Sequence, residues 1–109
     1  MKSIKFVGSA LKDLRDASAE LRREVGCQLD RLQQGLDPDD WKPMTGVGRG
    51  VREIRVRDES GAFRVIYVAS LADAIYVLHA FQKKTQQTAR RDIDLAARRF
   101  RQLARSARE

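Results

Sequence analysis

Five cations fall on segments that read as neighbouring β-strands: Arg55 and Arg57 in residues 51–57, Arg64 in residues 62–70, and Lys83 and Lys84 after the strand of residues 74–81. Strand alternation puts Glu53, Arg55 and Arg57 on one face of the first segment and Arg52, Ile54 and Val56 on the other. Arg64 sits amid Phe63, Val65 and Ile66, where a lone guanidinium is costly unless it pairs or lines an open groove. Pairing makes Glu53 its salt-bridge partner. The groove alternative has Arg55, Arg57, Arg64, Lys83 and Lys84 converge on one concave surface. Such a surface suits one reaction that needs neither a metal nor a conventional acid–base pair. An RNA 2′-hydroxyl attacks its own phosphodiester once the protein bends the strand in line, neutralises the phosphorane and helps the proton on and off. Arginine, always charged, suits the neutralisation. Lysine crowded by other cations can act as acid or, with a depressed pKa, as base. His79, the only histidine, shares its expected strand face with Val77 and Phe81 and reads equally as a packed, hydrogen-bonded side chain.

The elements that must position these residues are legible in outline. Ile4-Lys5-Phe6-Val7 alternates as a short edge strand. Ser9 is placed to cap a helix carrying Leu11, Leu14 and Ala17, and Ser18 to cap a second one. The second helix has an apolar stripe of Leu21, Val25, Leu29, Leu32 and Leu36, and Gly35 ends it. Pro38, Pro43, Gly46, Gly48 and Gly50 make residues 37–50 a loop without regular structure. Because Gly46-Val47-Gly48-Arg49-Gly50 leads into a strand rather than a helix, it is not a phosphate-binding loop. Three strands follow as an antiparallel meander with turns at residues 58–61 and 71–73. Both faces of the middle strand are largely apolar, so both need cover. The helical hairpin supplies one cover, and a last helix over residues 88–108, with Ile93, Ala97, Phe100 and Ala104, supplies part of the other. The expected order is β-α-α-β-β-β-α, an α+β fold in a single domain over residues 1–109, with residues 105–109 frayed.

The 109 residues carry a net charge of +7, and the excess is one-sided. Residues 1–41 hold 7 basic and 8 acidic side chains, against 15 and 7 in residues 42–109. Arginine supplies 16 of the 22 cations, a bias toward the planar fork that grips phosphate in two places. A polyanion partner, nucleic acid first, is the implication. No apolar run reaches the roughly 18 residues of a membrane helix, and Met1-Lys2-Ser3-Ile4 opens no secretory signal. One cysteine, Cys27, and one histidine build neither an internal disulfide nor a structural zinc site. A cytoplasmic protein with no metal and no cofactor is expected, and the usual phosphate-loop, paired-histidine and nucleophile-elbow signatures are missing.

Three runs together resemble a known group: Gly48-Arg49-Gly50-Val51-Arg52-Glu53-Ile54-Arg55, Phe63-Arg64-Val65-Ile66-Tyr67, and Leu78-His79-Ala80-Phe81-Gln82-Lys83-Lys84-Thr85. They resemble the RelE/ParE toxin superfamily, in its HigB-like, phage-related branch, and the resemblance covers nearly all of residues 1–104. It implies the RelE-like microbial RNase fold and the toxin of a type II toxin–antitoxin pair. The implied activity is a ribosome-dependent, metal-independent endoribonuclease acting on mRNA. By position, Arg64 resembles the arginine that meets the scissile phosphate, Arg55 a basic residue of the preceding strand, and Lys83 or Lys84 the basic residue after the last strand. Arg49, Arg52, Arg57 and His79 are the expected RNA-binding side chains. Several relatives add a tyrosine or histidine near the C-terminus; none follows His79 here, and Phe100 reads as core. The implied partners are mRNA on the ribosome and a cognate antitoxin, a helix-turn-helix protein or one with an extended segment. The hetero-oligomeric complex would repress its own operon, with no membrane involved. Gyrase-inhibiting toxins of the ParE kind share the superfamily, and a non-catalytic nucleic-acid-binding module is a third reading. Arg64 together with the two lysines favours the nuclease.

Overall fold

The computed structural model describes residues 2–59, 61–69, 74–83 and 87–107. Its elements run β1 (Ser3–Phe6), α1 (Ala10–Arg15), α2 (Ala19–Gln33), β2 (Trp41–Pro43), β3 (Val51–Asp58), β4 (Gly61–Val68), β5 (Ala74–Lys83) and α3 (Arg90–Ala107). The strands form one five-stranded sheet in the order β1-β5-β4-β3-β2. The meander β3-β4-β5 is antiparallel as the turn signals require, and β1 lies at the edge.

Two features depart from the expected order. β1 pairs parallel with β5, Ser3 opposite Ala74 and Phe6 opposite Val77, so the sheet is mixed rather than wholly antiparallel. Residues 41–43, expected to be loop, form a fifth strand antiparallel to β3. Pro43 does not prevent this, because β2 is an edge strand whose outer side needs no amide donor. The turn that follows is closed by Met44 N–H donating to the Val51 carbonyl at 2.8 Å.

The helices start and stop largely as their sequence dictates. Ser18 Oγ accepts from the Leu21 amide at 3.1 Å, and the Leu21, Val25, Leu29 and Leu32 stripe is buried. At the other end Gly35 adopts φ 82°, its N–H donating to Leu32 O and that of Leu36 to Arg31 O, the paired bonds of a left-handed C-terminal cap. Leu36, expected on the stripe, lies past that cap and is 51% exposed. Ser9 stands before α1 but its side chain makes no cap bond; the hydroxyl instead donates to Asp13 Oδ2 at 2.8 Å. α3 continues through Ala107, one residue short of the expected end at 108. Residues 108 and 109, like the turn expected at 71–73, lie outside the described residues.

Each sheet face has its own core. α1 and α2 cover Ile54, Val56, Phe63, Val65, Tyr67, Ile75, Val77 and Ala80. α3 covers Val51, Ile66, Val68 and Leu78 with Ala96 and Ala97, joined by Ile93, Phe100 and Leu103. Each fully buried aliphatic side chain here contributes about 1.5–3 kcal/mol relative to exposure. A β-bulge in β5 sets which side chains reach which core. Ile66 pairs with His79 but Tyr67 with Val77, leaving Leu78 as the extra residue. The bulge puts Leu78 and His79 on the α3 side, so His79 shares a face with Phe81 but not, as alternation alone had it, with Val77.

Candidate functional site

On the α3 side of the sheet, the register arranges side chains in rows across the strands. One row runs Lys42, Glu53, Ile66, His79; the next is Arg55, Arg64, Phe81; the last is Arg57, Ala62, Lys83. Among the described residues, α3 and the segment leading into it meet the first of these rows, where Thr88 bonds Glu53 and Asp92 pairs with His79. The rows beyond carry Arg55, Arg57, Arg64 and Lys83.

Glu53 organises this end of the sheet. It is fully buried, and its Oε1 accepts from Arg64 Nη1 at 3.1 Å while Lys42 Nζ lies 3.9 Å away. Its Oε2 accepts from the Thr88 hydroxyl at 2.7 Å. The Arg64–Glu53 pair is diagonal across β3 and β4, two residues off direct register on the same face. Of the two alternatives for Arg64 the structure realises the pairing, with the guanidinium only 6% exposed against the buried carboxylate. The salt bridge with Glu53 exists, and other cations still gather around it.

The electrostatics record that gathering. Burial lowers the Arg64 guanidinium from its ordinary value; Glu53 opposes the shift, and Arg55 and Arg57 add to it. The Lys83 ammonium is also lowered, first by desolvation and then by Arg64, Lys42 and Arg55, with Glu53 opposing. The Nε–H groups of Arg55 and Arg64 are buried with no acceptor among the described residues. Among the described residues the cluster holds more cations than anions, a balance suited to an anion. Beside it a cleft of about 380 Å³ opens between residues 42–46 and residues 87–93, with Lys42 and Thr88 on its walls.

The register brings Arg55, Arg57, Arg64 and Lys83 onto one face, whereas the remaining expected residues stand elsewhere. Arg52 projects from the opposite face, its guanidinium 4.0 Å from the centre of the Trp41 ring and 3.1 Å from Asp37 Oδ1. His79 is buried rather than presented: its Nε2 is 2.7 Å from Asp92 Oδ1 and its ring stacks on Phe81 at 4.5 Å. The bulge at Leu78 turned it beneath the start of α3. Arg49 is exposed on the loop before β3, beside Gly48, where an added Cβ would lie 2.3 Å from the Phe100 ring. Lys84 lies outside the described residues. Lys42 and Thr88 were not singled out from the sequence. The alternation of Trp41-Lys42-Pro43 was a signal for Lys42, but it was masked by the turn-forming residues around it. Among the described residues no three His, Cys, Asp or Glu side chains gather as metal ligands do, and no helix is long and apolar enough to cross a membrane.

Comparison with known proteins gives a consistent picture. The family model described as phage-derived protein Gp49-like matches residues 12–101. The isolated E. coli RelE toxin superposes with a TM-score of 0.62 at 17% identity, covering 80% of this chain and 89% of RelE. A free-state E. coli RelE carrying two arginine-to-alanine changes gives 0.63 at 12% identity, over 94% and 97% of the two chains. A chain of the intact E. coli RelBE toxin–antitoxin complex gives 0.50 at 15% identity, over 78% and 100%. No curated protein sequence matches significantly. At these identities the likeness establishes a RelE-like fold.

Proposed function

The chain belongs to the phage-derived Gp49-like family and has a RelE-like fold, and from that premise we propose that it is the toxin of a type II toxin–antitoxin pair, acting in the cytoplasm as a ribosome-dependent mRNA endoribonuclease. The observation that carries the nuclease reading is the cluster of Arg64, Arg55 and Lys83 on one sheet face.

In this reading the RNA 2′-oxygen forms a bond to the adjacent phosphorus and the P–O5′ bond breaks, leaving a 2′,3′-cyclic phosphate and a 5′-hydroxyl. Arg64 and Arg55 carry the negative charge that builds on the non-bridging oxygens; such preorganised donors contribute on the order of 10²–10³ in rate each. Lys83, with its lowered pKa, exchanges the proton. Lys42 and Arg57 hold flanking phosphates, and Glu53 fixes the Arg64 guanidinium from below. Lys84, Arg49 and Arg52 have no assigned role in the step. The antitoxin, a helix-turn-helix protein or one with an extended segment, neutralises this basic surface in the complex.

The test is induced expression followed by transcript 5′-end mapping. Growth arrest with new 5′ ends inside translated frames is expected. A double variant, Arg64→Gln with Glu53→Gln, keeps an uncharged hydrogen-bonding pair in the core and should abolish both effects while retaining the fold by circular dichroism. Growth arrest with intact mRNA and altered DNA supercoiling would assign the chain to gyrase inhibition instead.

A further inference from the structure

α3 carries a second concentration of positive charge, on the side away from the sheet. Arg91, Arg98 and Arg105 recur at seven-residue intervals, with Arg101 beside them, and all are exposed. Seven residues are about two helical turns, so the three guanidiniums project in nearly the same direction, roughly 10.5 Å apart, drifting about 20° per step. None of the four side chains makes an ion pair or hydrogen bond among the described residues. The exposed carboxylate on this side, Asp94, is already paired with Arg90 at 3.2 Å.

The stripe cannot rotate out of view. Ile93, Ala96, Ala97, Phe100 and Leu103 pack the opposite side of the helix into the second core. Arg99 pins its flank, donating to the Leu78 carbonyl at 2.8 Å and to Ser9 Oγ at 3.0 Å. The helix also begins beside the candidate site, through Thr88 and Glu53, so the stripe leads away from that site along the molecule.

We propose that this stripe docks the phosphate backbone of base-paired RNA, separately from the strand that enters the site. The choice of RNA rests on the function proposed above. The choice of a duplex rests on the stripe itself. It is a rigid, evenly spaced row of phosphate-gripping forks. The one aromatic of α3, Phe100, is turned into the core, so the exposed side offers no stacking platform of the kind that single strands use.

The experiment measures binding of a labelled RNA duplex of about 20 base pairs by fluorescence anisotropy, from roughly 50 to 200 mM salt. Removing three phosphate contacts with Arg91→Gln, Arg98→Gln and Arg105→Gln together should flatten the slope of log Kobs against log salt by about two to three. Affinity at the low-salt end should fall about 10- to 100-fold. The same charge removed from the helical hairpin, by Arg15→Gln, Arg22→Gln and Arg23→Gln, should change affinity less than about threefold if location matters. Equal losses in the two triple variants, an unchanged slope, or tighter binding of a DNA duplex or of polyglutamate than of the RNA duplex would overturn the assignment. The readout is independent of cleavage. A wild-type chain that binds through the stripe but cuts no mRNA refutes the nuclease and leaves the stripe; a nuclease indifferent to the triple change refutes the stripe alone.

Discussion

Arg64 and Glu53 illustrate how one pair serves stability and chemistry together. Both side chains are out of solvent, at 6% and 0% exposure, so each needs the other. Arg64→Ala leaves Glu53 with Thr88 and a distant Lys42, and should cost about 3–5 kcal/mol, read as a lowered urea midpoint at unchanged m-value. Adding Glu53→Gln should recover much of that loss, because the uncompensated charge is gone. This separates a stability defect from a catalytic one. Lys83 yields a pH prediction. Its folded pKa lies below the ordinary 10.5, so between the two values the unfolded chain binds more protons. The contribution of Lys83 to stability therefore rises with pH across that window and is at its least favourable below the folded value. In cleavage, the base form of Lys83 grows over the same window, so the rate should climb with pH below 10.5. Lys83→Arg should flatten that limb, because arginine stays protonated; a limb that persists would assign the proton transfer elsewhere. His79 shows the reverse outcome: a residue whose chemistry suits catalysis but which the fold uses to fasten Asp92 of α3.

At the scale of elements, glycines matter for two different reasons. Gly35 ends α2 at φ 82° with open space where a Cβ would go, so Gly35→Ala should cost about 1 kcal/mol through backbone strain alone. At Gly48 the backbone is ordinary but a Cβ would lie 2.3 Å from the Phe100 ring. Gly48→Ala should cost about 1–3 kcal/mol by overpacking, and Phe100→Leu in the same chain should recover part of it. Thermal melts of the two variants and the double distinguish these mechanisms. β2 and the β5 bulge are the elements the local pattern did not disclose. A strand of three residues ending in proline has little signal of its own and exists because β3 offers it an edge. The bulge is a property of the β4–β5 pairing, not of the residues 77–79 taken alone.

At the scale of the whole molecule, the sheet needs a cover on each face, and α3 is the cover of one. A chain ending after residue 88 would expose Val51, Ile66, Val68 and Leu78 together. It should bind a hydrophobic dye and lose cooperative unfolding; a monomeric, cooperatively melting product would refute this account of the second core. The sequence alone determined the helical hairpin, the meander, the amphipathic last helix and the concentration of positive charge after residue 41, because these depend on periodicity, caps, turns and composition along short stretches of chain. It also identified Arg64 and Glu53 as potential partners, since alternation fixes faces once strands are recognised. Only the tertiary structure decided that β1 runs parallel beside β5, that β2 brings Lys42 to Glu53, that the bulge turns His79 beneath α3, and that Arg52 faces away from the cluster. Each of those depends on register between segments distant in the chain, and a one-residue change in register exchanges the two faces of a strand.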